Sequence, residues 1–316
     1  MTSVALRTPI PVAEPLWTDY ALTEALFWGR DNQAINQPLI VGEDTGATIA
    51  SVRDLQFPVA AGVRAFYGRR DPNQGGWEIG YFGVYGMSAS EFVTAPATEF
   101  IQVPPPLGDG LTDQGETARL KYNSLVNSAE ANLFRTWHEW RPSSGSWLTV
   151  DWLAGFRYIG VEETAAIDMN CCIADTVEVP YRVRTHNNMF GGQVGSRARW
   201  TWNRWAVEGW AKAGLLGNAE KQMQDALIDY QSVPVRPAVA TSGSEVGFIG
   251  DLNLSVIYRL NEVWGIRAGY STVWINGLAL APNQFDFATT EGDGSRLTGG
   301  GSMFLNGANL GLEARW

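Results

Sequence analysis

The chain has 316 residues, of which 45% are hydrophobic and 18% charged, and its formal net charge is −10. That length is sufficient to bury a large core, and the acidic balance argues against nucleic acid as a partner. No run of about 18 consecutive apolar residues occurs, so no transmembrane helix is predicted, and only two cysteines, Cys171 and Cys172, exclude a disulfide framework or a cysteine-rich metal site.

Apolar and polar residues alternate with a period of two along much of the chain, which predicts β-strands. In the C-terminal third, for example, Phe248 and Leu252 share one face while Asp251 lies on the other. A helical period would scatter such apolar positions around the helix. We predict ten strands, near residues 19–28, 58–70, 76–87, 116–140, 146–165, 180–202, 204–218, 244–260, 263–278 and 301–316.

The predicted connections alternate in length. Short turns are expected at 71–75, 141–145, 203 and 260–262. Long loops are expected at 29–57, 88–115, 166–179, 219–243 and 279–300. All short connections then fall at one end of the sheet, as in outer-membrane barrels with short periplasmic turns and long external loops. An even strand number places both termini on the periplasmic side.

Aromatic residues recur on the apolar face at two levels, beside the short turns and about ten residues farther along the strands. Ten residues at ~3.3 Å each, tilted by ~40°, rise about 25 Å, which matches the apolar band between two aromatic girdles. The predicted membrane-interface aromatics are Trp77, Trp147, Trp200, Trp202, Trp205, Tyr258, Trp264, Trp274, Phe190, Phe248, Phe304 and Trp316. The alternative is a soluble secreted β-barrel or sandwich that binds a small ligand and uses these aromatics as its core.

Glycines on the opposite face of the last strands favour the membrane barrel. Gly265, Gly269 and Gly311 alternate with the apolar row. On a water-facing strand surface glycine only weakens the strand, whereas inside a narrow barrel it leaves room for large charged neighbours such as Arg267 and Glu313.

Several phrases of the sequence resemble, in their order and spacing, the putative β-barrel porins (type seven) of planctomycete bacteria. They include Ser128-Ala-Glu-Ala-Asn132, Gly155-Phe-Arg-Tyr158, Asn187-Asn-Met-Phe-Gly-Gly-Gln193, Arg267-Ala-Gly-Tyr270 and Ala281-Pro-Asn-Gln284. The likeness is good over 115–316 and thinner over 19–87. This resemblance implies a porin-like outer-membrane β-barrel and brings no catalytic residues with it.

The polar face of the strands is expected to line the barrel lumen. The predicted lining is Glu130, Asn132, Asp151, Arg157, Glu163, Gln193, Arg197, Arg199, Lys212, Asp251, Asn253, Arg267, Asn309, Glu313 and Arg315. Charges of both signs are present, and unpaired charges there would be costly. Two functions follow: a salt-bridged core that plugs the lumen in an envelope structural role, or a narrow lining that selects solutes, since a barrel of about ten strands leaves little free interior.

Enzymatic and cofactor functions find little support in the sequence. His186, beside Asn187 and Asn188, is the only histidine worth considering for hydrolysis, and no serine partner is identifiable. We therefore expect no enzyme activity, no cofactor and no metal site. Cys171 and Cys172 are expected in an external loop, as a vicinal disulfide, as free thiols or paired with a partner.

The predicted domain organisation is a flexible periplasmic segment over 1–18 followed by an outer-membrane barrel over 19–316. Residues 1–16 lack the basic start and apolar centre of a signal peptide, so we expect such a peptide to be missing or removed. The expected partners are outer-membrane lipid and the barrel-assembly machinery, which would read the C-terminal strand ending at Trp316.

Overall fold

The computed structural model describes residues 19–112, 114–142, 145–171, 177–289 and 294–316. Its main elements are ten long strands: β1 (Asp19–Arg30), β2 (Ala60–Arg70), β3 (Gly75–Thr94), β4 (Gly115–Trp140), β5 (Ser146–Cys171), β6 (Val177–Trp202), β7 (Trp205–Gln224), β8 (Val239–Arg259), β9 (Trp264–Leu278) and β10 (Gly301–Arg315). The predicted segment 1–18 lies outside the described residues.

Each long strand pairs antiparallel with its neighbour in the chain, and β1 also pairs with β10. The register of this last pairing runs from Tyr20 opposite Arg315 to Arg30 opposite Leu305. The sheet therefore closes into a ring of ten up-and-down strands. The prediction of an all-β, antiparallel fold with up-and-down topology is confirmed.

The long connections contain the remaining regular elements. They are the short strands Pro38–Gly42, Thr48–Ser51, Ile101–Gln102, Leu227–Ile228 and Pro234–Arg236, the 3₁₀ turns Val52–Asp54 and Ala281–Gln284, and the single helical turn Gly108–Leu111. Across the described ranges, no helix combines the length and the apolar character needed to cross a membrane.

The short turns lie where the sequence predicts them. At the tightest one, β6 and β7 are joined by Asn203 and Arg204, and Trp202 pairs directly with Trp205. Asn203 has φ +51°, a left-handed conformation that two-residue hairpin turns require and that asparagine tolerates well.

Several strands extend farther toward the long loops than predicted. The prediction of a loop over 166–179 is wrong, because β5 continues to Cys171 and β6 begins at Val177. Pairing persists there since Ile167 and Tyr181, which face each other, are both buried. Cys171 consequently ends a strand, and Cys172 lies outside the described residues.

Alternation along each strand gives the ring an inward and an outward face. The inward residues are charged or polar in the half near the short turns, as in Arg267 and Asp251. In the half near the long loops they become apolar, as in Val273 and Ile249. The interior thus consists of two stacked blocks of different chemistry.

Candidate functional site

The short-turn half of the ring is filled by a set of ion pairs that we call the lumen network. It joins eight cationic side chains to seven carboxylates. The cations are Arg64, Arg70, Arg157, Arg197, Arg199, Lys212, Arg267 and Arg315. The carboxylates are Glu24, Glu78, Glu130, Asp151, Glu208, Asp251 and Glu313.

Arg267 is the most connected member, because it reaches four other strands, the fourth through Glu313 of β10 at 3.6 Å. Its Nε is 3.0 Å from Oε1 of Glu24, and its Nη1 is 2.7 Å from Oε1 of Glu208. Its Nη2 donates to the amide oxygen of Asn253 at 3.1 Å. The side chain is fully buried, so these contacts are what compensates the loss of hydration. Arg267 therefore ties β1, β7, β8 and β10 to β9 through the interior.

A second cluster spans the opposite side of the lumen. Arg157 donates to Asp251 at 2.9 Å, which connects β5 with β8 across the ring. Lys212 donates to Glu130 at 2.5 Å, and Gln193 donates to Asn132 at 2.7 Å. Side chains from opposite sides of the ring, on β4 and β5 and on β7 and β8, thus meet in the lumen.

The structure places all the predicted lumen residues on the inward face. Glu163 lies above the lumen network and pairs with Arg30 at 2.7 Å, and Asn309 donates to Glu24. Five members of the lumen network are absent from the predicted lining: Glu24, Arg64, Arg70 and Glu78 on the first three strands, and Glu208 on β7. Alternation gives little signal at Glu24, because its inward row also contains the apolar Leu22, Leu26 and Trp28.

Eleven of the twelve predicted interface aromatics lie on the outward rows of the ring. Paired rings mark both levels: the Trp205 and Tyr258 centroids are 4.8 Å apart near the short turns, and those of Phe248 and Trp274 are 5.4 Å apart farther along. The prediction for Trp147 is wrong. It lies in the inward row of β5, in phase with Asp151, and lines the interior cavity.

That cavity opens at the short-turn end of the ring, and we call it the vestibule. It offers about 120 Å³ of space for water. Its walls include Phe66, Trp147 and Trp210 together with members of the lumen network. All of its lining residues belong to the short-turn half, so the vestibule ends below the apolar block.

The apolar block, which we call the plug, is formed where the long loops fold into the other end of the ring. Its buried members from the loops include Leu39, Ile40, Val52, Leu55, Val103, Leu107, Leu111, Leu280, Ala281 and Phe285. They pack against strand residues such as Ile159, Met189 and Ile275.

Buried hydrogen bonds fix the plug to the wall and join its loops to one another. The Asn187 amide donates to the carbonyl of Ala279 at 3.0 Å, and the Ala281 N–H donates to Glu163 at 2.9 Å. The Leu107 N–H donates to the carbonyl of Phe287 at 2.9 Å, which joins two loops.

Glu220 lies at the outer edge of the plug, and the charged group that acts on its carboxylate is another carboxylate, that of Glu245. Burial, reinforced by the neighbouring Glu245 carboxylate, raises the pKa of Glu220 to about 7. Glu220 lies three residues beyond Gly217, which pairs with the outer-level aromatic Phe190. It therefore sits beyond the outer aromatic level, under the loop that contains Gly299.

The family to which the chain belongs is shown by its match to a known protein family. The model of the family described as Putative beta barrel porin-7 (BBP7) matches residues 71–316. The chain belongs to this family. No curated protein matches it significantly.

Among solved structures, the fold of this BBP7 member is similar to that of the outer membrane protease OmpT from Escherichia coli. The TM-score is 0.55 at 10% identity, with 95% of this chain and 97% of the other covered. TodX, the Pseudomonas putida toluene transporter, gives a TM-score of 0.27 at 10% identity for a mutant form, covering 95% and 90%. That second score is too low to carry an argument. The first likeness shows an outer-membrane barrel fold and, at this identity, no activity.

The structure places His186 and Asn188 on the outward face of β6 and Asn187 on its inward face. His186 lies in the outward row of β6, between Glu162 on β5 and Lys221 on β7. Asn187 faces inward and contacts the plug, so the two residues lie on opposite faces of the wall. Within the described ranges, no three histidine, cysteine or acidic residues are grouped so as to hold a metal ion.

Proposed function

We propose that this protein is an outer-membrane β-barrel with a sealed lumen, which serves as a structural element of the envelope rather than as an open pore. The observation that carries the proposal is the stacking of two blocks inside one ring, the lumen network and the plug. Both blocks consist largely of buried side chains that meet across the ring, with the vestibule occupying the short-turn end of the first. A ring of about ten strands encloses little more than its own side chains, so either block suffices to stop the flow of water.

The outward face supports insertion in a bilayer. Phe304, Leu310 and Trp316 follow one another at six-residue intervals on the outward row of the last strand, so the aliphatic residue lies midway between two aromatic levels. Aromatic girdles that flank an apolar band are typical of outer-membrane barrels. In this arrangement residues 19–316 form the barrel domain and residues 1–18 are a periplasmic segment.

Strand length favours an orientation with the long loops outside the cell. Strands β4, β5 and β6 have 26 residues each. At ~3.3 Å per residue and ~40° tilt they rise about 65 Å, more than twice the ~25 Å apolar band. Because the aromatic levels lie toward the short turns, the excess projects on the loop side. The short turns and both chain ends then face the periplasm, where the assembly machinery would engage the C-terminal strand.

A gated porin is the second candidate function, because the family is described as a putative porin. Passage would require both the plug and the lumen network to rearrange, since they are stacked in series. The proposed function involves no catalysis, in keeping with a family described as a putative porin.

A pair of matched substitutions tests the membrane assignment. Leu310→Arg places a charge at the centre of the proposed apolar band, whereas Leu260→Arg places it in a short turn, and both leucines are about half exposed. In lipid vesicles we expect Leu310→Arg to lower the free energy of unfolding by about 2–4 kcal/mol and Leu260→Arg by about 0–1 kcal/mol. Equal, small losses for both would instead favour the soluble β-barrel or sandwich.

A further inference from the structure

The vestibule exposes more positive than negative charge, although its walls contain both signs. Its arginines reach the water-filled space, with side-chain exposures of 64% for Arg141, 26% for Arg70, 17% for Arg315 and 13% for Arg197. Their carboxylate partners lie behind them, at 4% for Asp151, 5% for Glu208 and 2% for Glu78. Only Glu139, which pairs with Arg141 at the mouth, is comparably exposed among those carboxylates, at 23%.

The charge of the lumen network has the same sign. Its eight cations exceed its seven carboxylates by one, in a chain whose formal net charge is −10. An anion that enters the vestibule therefore meets arginines at its surface and does not need to displace an internal carboxylate.

The wall of the vestibule has two further features, an unpaired hydrogen-bond donor and a stretch of apolar surface. The indole N–H of Trp147 is buried and has no partner among the described residues, although buried donors are normally paired. Phe66, Leu153 and Trp210 supply apolar surface beside the arginines. Aromatic and aliphatic surface with a few convergent donors is typical of small-molecule sites.

We propose that the vestibule is a binding site for a small organic anion, with a carboxylate or phosphate group facing the arginines and an apolar body against the aromatic side chains. Guanidinium groups are well suited to such ligands because they donate in a planar fork to either anion. That the ligand arrives from the periplasm rests on the orientation proposed above. The binding itself does not depend on that orientation, since in a detergent micelle the short-turn end of the ring is exposed to solvent.

Calorimetric titration of the full chain in zwitterionic detergent at low salt tests the site. The probes are benzoate, phenyl phosphate, benzyl alcohol and benzylamine, which share a ring and differ in charge. We expect benzoate and phenyl phosphate to bind, the tighter of the two identifying the preferred anion, and benzyl alcohol and benzylamine to bind at least about tenfold more weakly. Benzylamine binding as tightly as both anions would overturn the proposal.

Two neighbouring arginines provide a matched control. Arg70 faces the vestibule, whereas Arg69 is exposed on the outward face of the same strand. Arg70→Gln is expected to weaken anion binding about tenfold and Arg69→Gln to leave it unchanged. Equal affinities would refute the site. Heat-modifiable gel mobility verifies that each variant is folded, and the exposed Arg141→Gln provides a second test should Arg70→Gln misfold. Loss of anion binding would leave the sealed-barrel proposal standing, since that depends on conductance.

Discussion

The two halves of the interior are sealed by different means. In the short-turn half, the wall supplies its own filling, and residues such as Arg157 and Asp251 meet from opposite strands. In the long-loop half, the filling comes from loops that return into the ring, and Leu107 and Phe285 pack against the strands. The first block depends on strand register, and the second depends on how segments without periodicity fold.

The two blocks also differ in what their burial contributes. Burial of apolar side chains lowers the free energy of the folded state. Buried ion pairs, by contrast, only regain through their mutual contacts what they lose in hydration. The plug therefore stabilises its loops directly. The lumen network contributes little net stability when complete, but removal of one member leaves buried partners with fewer compensating charges. This difference leads to separable predictions for the two halves.

The largest effect is expected in the lumen network. Arg267→Leu removes the cation that Glu24 and Glu208 share, although Glu24 keeps Arg64 and Glu208 keeps Arg199 and Arg315. We expect the free energy of unfolding to fall by about 3 kcal/mol, the lower end of the range for a broken buried pair. Urea unfolding in lipid vesicles measures this loss. Arg267→Lys, which retains the charge, should lose distinctly less. A loss no larger for leucine than for lysine would show that the charge is not what the interior requires.

A more local effect, confined to the other half, is expected in the plug. Leu107→Ala leaves a cavity beneath the loops, and we expect a loss of about 2–4 kcal/mol in the local stability of 101–112 and 281–289. Hydrogen exchange of those segments should quicken while the barrel strands remain protected. Uniform quickening across β5 and β9 would contradict the separation of the two blocks.

The smallest effect concerns pH at the outer edge of the plug. Because the pKa of Glu220 is raised to about 7 in the folded protein, the protonated form fits the fold better than the ionised form. Its contribution should decline as pH rises from the ordinary carboxyl range to about 7 and then level off. Hydrogen exchange at 294–300 measures it, and Glu220→Gln should remove the dependence. An unchanged pH dependence in that variant would assign it to another group.

Much of the wall and of the lumen network could be predicted from the sequence, because strand alternation determines the direction of each side chain. Arg267, Asp251 and Gln193 were placed on the inward face by their phase alone. Trp147 was misassigned although its phase matched that of Asp151, since its position beside a turn suggested a girdle. The missed Glu24 and Arg64 lie in strands whose short apolar rows are less regular.

The plug could not be predicted in the same way. Leu39 and Leu107 lie in loops, where no periodicity relates a residue to a face, and their burial depends on contacts between distant segments. One signal was present: the inward row of β9 changes from Arg267 and Ser271 to Val273 and Ile275. An apolar inward row needs a covering, which only the loops can supply.

Single-channel recording of the full protein in a planar bilayer tests the sealed lumen most directly. With both blocks in place, the membrane current is expected to stay at its baseline, without discrete steps, over the range of applied voltages. Regular stepwise openings of constant size in the unmodified protein would contradict the account and establish a conducting pore.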